Sequence, residues 1–375
     1  MTLVVFTAQL GTVSETFIRR HVEDLLPGRT VAVARVSSPP MGGRWEAPCE
    51  VLFLDQKALG WGVRLARRLG ASWDGQRDRI VTRFLRRTGA TVVLGEYLDQ
   101  FAEFVPLIDR LGIPYVVQGH GIDLSVSLRD PAKAKLYVQT YQSARAVLTR
   151  CELHRRRLIG LGLPAEKVHV NPGGVDLPAS IPQRGPEAAK RLLAIGRMTA
   201  KKGPIYLLEA FRQAAARDPA LRLDYLGGGE LLPAVRQFVD AAGLDGRVTL
   251  HGAAPEDVKQ RLLVECGVFV QHSLTDPETG DEEGLPASIQ EAMANGLAVV
   301  STRHAGIPEA VEDGHTGLLV DEGDVGGMAE AMLAVPARAA ELGAAGARRA
   351  AALYGWQHER ARLLGWLMDA KKAPA

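Results

Sequence analysis

Short unbroken apolar runs alternate along this chain with stretches whose apolar residues recur every three or four positions. The runs LVVF (3–6), VAVA (31–34), VLFL (51–54), TVVLG (91–95), PYVVQ (114–118), AVLT (146–149) and VHVN (168–171) read as buried strands. Helix-period stretches at 15–26, 73–88, 99–111 and 152–160 separate them. A second series follows: RLLAIG (191–196), LRLDYLG (221–227), VTLHG (248–252), VFVQ (268–271), AVVST (298–302) and GLLV (317–320), with helices near 203–217, 230–242, 256–265, 286–295 and 325–334. Continuous apolar strands alternating with helices predict parallel sheets covered on both faces. Between the two series, DLPASIPQRGPEAAK (176–190) has three prolines and few large apolar residues. The expected architecture is α/β, with two doubly wound Rossmann-like domains facing a cleft. The first covers 1–177, a linker 178–189 and the second 190–352. The tail, 353–375, carries an amphipathic helix with Trp356, Leu363, Leu364, Trp366 and Leu367 as its apolar positions, expected to pack back on the first domain.

Composition changes this picture in one respect. The net charge of +2 is unevenly spread: residues 1–180 hold 24 Lys/Arg against 17 Asp/Glu, and the remainder 21 against 26. A basic first half and an acidic second half point to different partners for the two domains. Three widely spaced cysteines, with no C-x-x-C, indicate neither a disulfide framework nor a zinc site. The first residues lack the basic and apolar regions of a secretory leader, and no apolar run approaches a membrane span. A cytoplasmic location is expected, with the basic half able to rest on the inner face of a membrane.

Ligands of doubly wound sheets bind beyond the carboxyl ends of the strands, so residues there carry the candidate chemistry. AIGRMTAKKGP (194–204) places Arg197 and Lys202 in a glycine-bounded loop, as a polyanion clamp or as solvated charges. DEEGLPASIQEAMANG (281–296) puts Glu283 before a helix that Pro286 opens and Glu291 on its second turn. Glu291 could accept from the vicinal hydroxyls of a ribose and Glu283 from a second sugar; a glycosidase pair and plain surface charges are the rival readings. Gly306 and Ile307 precede Pro308, where exposed N–H groups could bind phosphate or a sugar hydroxyl, or merely form a turn. LGGGEL (226–231) has neither dinucleotide nor Walker spacing. In the first half, His120 follows a strand between two glycines. Thr12 and Glu15 have capping-box spacing, followed by Arg19 and Arg20. The stretch 63–87 is basic with interleaved apolar residues, suited to an anionic membrane surface or to solvent; nucleic acid is not expected.

Taken together, GR with KKG (196–203), EEGLPASIQEAMANGLAVVST (282–302) and GIPEAVEDGHTGLLVDEGD (306–324) resemble the retaining nucleotide-sugar glycosyltransferases of family 4, which have the GT-B fold. Glu283 and Glu291 stand at that family's E-x7-E spacing. SETFIRRHV, GHGIDLS and NPGGVD match in the first half, and the undivided insert 272–286 is similar to the colanic acid and amylovoran transferases of exopolysaccharide assembly. The resemblance implies that Arg197 and Lys202 hold the donor diphosphate and Glu291 the ribose. It gives Glu283 and His120 to the donor sugar as catalytic residues, and the amides of Gly306 and Ile307 to sugar and phosphate. The base would lie near Leu250 and His251. Gly11, Thr12, Ser14 and Glu15 would meet acceptor or phosphate, although the glycine-rich loop of the family is reduced here to QLGTVSE. The implied donor is a UDP- or GDP-sugar and the acceptor a saccharide or lipid-linked saccharide. The resemblance implies no cofactor and no metal, and no Asp-x-Asp triplet occurs in the chain. An epimerase or hydrolase of the same fold, and a silent sugar-nucleotide binder, are the alternatives.

Overall fold

The computed structural model describes residues 1–11, 15–36, 47–55 and 72–369. It divides into two compact units, Met1–Asn171 with Arg360–Ala375, and Pro172–Glu359. The linker stretch thus belongs to the second unit. Arg184 ties it there by donating to the carbonyls of Leu263 and Asn295.

The first unit holds seven parallel strands: β1 Leu3–Gln9, β2 Thr30–Val36, β3 Val51–Phe53, β4 Val92–Glu96, β5 Tyr115–Gln118, β6 Ala146–Thr149 and β7 Val168–Val170. Their order is β3-β2-β1-β4-β5-β6-β7. The second unit holds six: β8 Arg191–Ile195, β9 Arg222–Leu226, β10 Val248–Gly252, β11 Val268–Val270, β12 Ala298–Thr302 and β13 Gly317–Val320, ordered β10-β9-β8-β11-β12-β13. The central strands fall on apolar runs, because a parallel strand buried on both faces needs one; the edge strands β3 and β10 are only partly buried. Each sheet reverses its order once, between β1 and β4 and between β8 and β11. These are the switch points at which doubly wound sheets open a crevice.

Local chemistry sets the helix ends. Ser72 caps Trp73–Thr88 by accepting from Gly75 N–H, and Gly89 ends that helix at φ +64°. The predicted helix 99–111 is three short pieces, since Pro106 is accommodated only in the first turn of Val105–Arg110. Two further helices, Pro131–Thr140 and Ala339–Leu353, were not expected. The first is nearly uniform in polarity around its axis. The second is mostly alanine. The tail helix runs Trp356–Asp369, and its Leu363 and Leu367 are fully buried in the first unit's core with Leu3, Val5 and Leu94. Among the described residues no helix is long and apolar enough to cross a membrane.

Candidate active site

The β8/β11 switch point gathers the second unit's charged residues. Gly203, at φ +48°, and Pro204 start the helix Pro204–Arg217, and the turn before it carries Lys201 and Lys202. The loop after β11 brings Glu283 between them: its carboxylate lies 3.3 Å from Lys202 Nζ and 3.6 Å from Lys201 Nζ. Lys201 also reaches Asp281, at 3.0 Å, and the Glu282 carbonyl. All three central side chains are nearly buried. Burial pushes the Glu283 carboxyl up, but the two ammonium groups outweigh it and hold it down at about 2. Burial, with Lys201 and Arg197 nearby, pulls the Lys202 ammonium below its usual range against the opposing pull of Glu283. Arg197 is exposed. The cluster therefore offers a polyanion two cations, of which Lys202 has only Glu283 as an ion-pair partner among the described residues.

Backbone contacts fix this loop. Gly227 sits at φ +144°, and a Cβ on it would lie 1.8 Å from the Gly196 carbonyl oxygen. Only glycine lets the loops after β8 and β9 approach so closely. Met198 N–H donates to Gly228 O, and Leu231 N–H to Met198 O.

Two neutral imidazoles brace the acidic side. His304, almost fully buried after β12, accepts from the Glu283 backbone N–H at Nε2 (3.1 Å), while its Nδ1 lies 2.6 Å from Glu322 Oε1. Nε2 is therefore unprotonated and Nδ1 carries the proton. Glu322 also accepts from Thr275 N–H. Thus the loops after β11, β12 and β13 are joined through one ring. His272 Nε2 accepts from Gly323 N–H, and burial lowers that imidazole to about 4.

Glu291 lies on the second turn of the helix Ala287–Ala294, part-exposed, 3.1 Å from Lys259 Nζ. Burial pushes the Lys259 ammonium down, but Glu291 and Glu256 hold it above its usual range. Pro286 is the residue before this helix rather than its first member, with ψ 124°. Gly306 N–H donates to Gly284 O and Ile307 N–H to His304 O, so both amides are engaged within the unit. The Gly306 bond pins the E-x7-E loop to the loop after β12. Leu250 packs on the core, and His251 Nε2 meets Asp224 Oδ1 at 2.8 Å.

In the first unit His120 follows β5 and faces Glu96 beside the β1/β4 switch point. Its Nε2 is 2.6 Å from Glu96 Oε2 at the end of β4, and His21 Nδ1 is 2.5 Å from the other oxygen. Phe17 stacks on the His120 ring. Glu15 is not inside a capping box. The helix starts at Thr16, and the Glu15 carboxylate instead accepts from Tyr97 OH at 2.8 Å. Gly11 has φ +83°; Thr12 and Ser14 lie outside the described residues. Arg19 pairs with Glu23 at 3.0 Å. Of the basic stretch, 63–71 lies outside the described residues. Arg77 is buried against Glu103 and Asp78, leaving Arg79, Arg83 and Arg86 exposed at one-face spacing along the helix Trp73–Thr88.

Comparison with known proteins gives the family and the fold. Residues 189–337 match the model described as Glycosyl transferases group 1, and 48–178 that of Glycosyltransferase Family 4. The chain belongs to the family 4 glycosyltransferases. WcaL of Escherichia coli, named for colanic acid biosynthesis, is 34% identical over 217 residues, 57% of this chain and 53% of that protein. The amylovoran biosynthesis glycosyltransferase AmsK of Erwinia amylovora is 32% identical over 246 residues, 63% of this chain and 60% of its own. The chain thus spans about half to three-fifths of the length of these relatives. Anabaena HepE in complex with UDP superposes with a TM-score of 0.78 at 17% identity, over 98% of this chain and 100% of that one. That likeness gives the fold, GT-B.

Within this family 4 chain, sequence reasoning singled out Arg197, Lys202, Glu283 and Glu291 but not Lys201, His304, Glu322 or Glu96. Lys201 stands beside Lys202 in KKG, and nothing local in the sequence sets it apart. His304 and Glu322 follow strands as the chosen residues do, but only the fold shows that they meet. Glu96 carried a usable signal: a carboxylate ending an otherwise apolar strand.

Proposed function

We propose that this chain is a retaining, metal-independent glycosyltransferase. It moves a sugar from a nucleotide-diphosphate sugar to a saccharide acceptor, lipid-linked, in bacterial polysaccharide assembly. The observation that carries the reading is the Lys201–Lys202–Glu283 cluster at the β8/β11 switch point. Lys202 and Arg197 take the diphosphate, and the negative charge that grows on the departing phosphate is met by cations already in place. Glu283 accepts from a hydroxyl of the donor sugar, and Glu291 from the ribose hydroxyls. His120 takes a sugar hydroxyl. The bond between the anomeric carbon and the diphosphate oxygen breaks as the acceptor oxygen bonds to the same carbon on the same face. The acceptor's proton passes to the leaving phosphate oxygen. Fixed lysines can do the work a divalent ion does elsewhere, which supports metal independence.

The printed names of the relatives support the substrate class: colanic acid and amylovoran biosynthesis, and UDP bound to HepE. The exposed stripe of Arg79, Arg83 and Arg86 supports contact with an anionic membrane surface. The test is transfer from UDP- and GDP-sugars to a lipid-linked saccharide with EDTA present, with the anomeric configuration of the product read by NMR. Retained configuration and undiminished rate are expected. Inversion, loss of rate in EDTA, or release of free sugar at the same rate without acceptor would overturn the reading.

A further inference from the structure

We propose that Glu96 is a positioning residue that fixes the tautomer of His120, so that Nδ1 of that ring is presented as the acceptor for a carbohydrate O–H. The inference rests on the reading of His120 as a site residue. Glu96 is fully buried. A carboxylate so placed is costly unless it is held. Two imidazoles hold it, His21 through Nδ1 at 2.5 Å and His120 through Nε2 at 2.6 Å. Burial pushes the Glu96 carboxyl up, but the two rings bring it below the usual carboxylate range. An ionised carboxylate only accepts, so each facing nitrogen carries its proton. In its neutral form His120 therefore has its proton on Nε2 and a lone pair on Nδ1.

That lone pair is unmet: Nδ1 is buried without a hydrogen-bond partner among the described residues. Its ring cannot turn to relieve this. Phe17 stacks on it with centroids 4.3 Å apart, and Tyr97 packs at 4.6 Å. The loop is held as well. Asp123 accepts from the N–H groups of His120 and Gly121 through one oxygen and from Leu98 N–H through the other. Tyr97 has φ +64°, a strained value for a non-glycine residue, and is tethered by its hydroxyl to Glu15. An acceptor left open in a site so tightly determined is matched by the hydroxyl of a sugar, on the donor or on the acceptor.

The test uses the full chain labelled with 15N-histidine. In the free protein the His120 ring is expected as the neutral Nε2–H tautomer. Glu96→Gln, whose amide can donate to one ring, is expected to change the tautomer or charge of His120 or His21. It should also lower kcat for transfer at least tenfold, with UDP affinity within twofold. If that variant does not fold, the wild-type Nδ1 resonance decides. A shift with UDP-glucose but not UDP places the hydroxyl on the donor, and a shift with methyl glucoside alone places it on the acceptor; both support the proposal. An Nδ1–H tautomer in the free wild type, or no Nδ1 shift with substrates that the enzyme turns over, overturns it. A protein that binds no nucleotide and transfers no sugar refutes the transferase reading instead. The tautomer in the free protein then judges Glu96 on its own.

Discussion

Replacing Glu283 by Gln removes one charge from between two buried lysines while keeping the side chain's shape. The carboxyl drops from 4.5 to about 2 in the folded protein. At about 1.4 kcal/mol per pH unit, that is about 3 kcal/mol of net interaction with Lys202 and Lys201. Because the folded value is depressed, the contribution is complete above pH 4.5 and disappears as the pH falls towards 2. Roughly 1 kcal/mol of it is already gone at pH 4. A unit of this size loses about 2–4 °C in melting temperature per kcal/mol, so Glu283→Gln is expected to melt several degrees lower at pH 7.5, up to about 6–12 °C. The gap to wild type should narrow at pH 4. UDP no longer competes with a carboxylate for Lys202, so its affinity should hold or rise while transfer falls by on the order of a hundredfold. Differential scanning calorimetry at the two pH values, UDP titration and an initial-rate assay read these together. Equal melting of the two proteins at pH 7.5 would refute the ion-pair argument. A tenfold loss of UDP affinity would show that Glu283 serves the nucleotide and not the sugar.

Two other substitutions probe the frame around this cluster. Gly227→Ala forces a Cβ to within 1.8 Å of the Gly196 carbonyl. It should cost about 1–3 kcal/mol in a denaturant melt and weaken UDP at least tenfold, whereas Gly228→Ala, with open space around it, should do neither. His304→Leu removes the acceptor of the Glu283 N–H. It should lower kcat on the order of tenfold, the worth of one buried hydrogen bond, with UDP affinity within twofold. His304→Gln, which can both accept and donate, should recover part of the loss.

The strand pattern was legible because parallel strands must be apolar on both faces, and β6, β10, β12 and β13 fall on the expected residues. Helices were legible where one face was apolar. The helix Pro131–Thr140, with no clear face, and the alanine-rich Ala339–Leu353 were not. In the site, position at a strand's carboxyl end picked out Lys202, Glu283, Glu291 and His120. It could not pair them. That Glu283 lies between adjacent lysines, that His304 joins three loops, and that Glu96 stands behind His120 all depend on which loops meet. Such pairings involve residues up to 82 positions apart, and no local pattern encodes them. The capping box at Thr12 and Glu15 failed because the helix starts only at Thr16, with Glu15 at its N-cap rather than its third residue.

Titration calorimetry of UDP, GDP and ADP into the protein in EDTA, beside Glu291→Ala, asks whether the site's cations and Glu291 hold a nucleoside diphosphate. One of the three diphosphates is expected to bind without metal, and Glu291→Ala to weaken it at least tenfold while the melting temperature stays within a few degrees. Failure of all three to bind, with or without magnesium, would contradict that expectation.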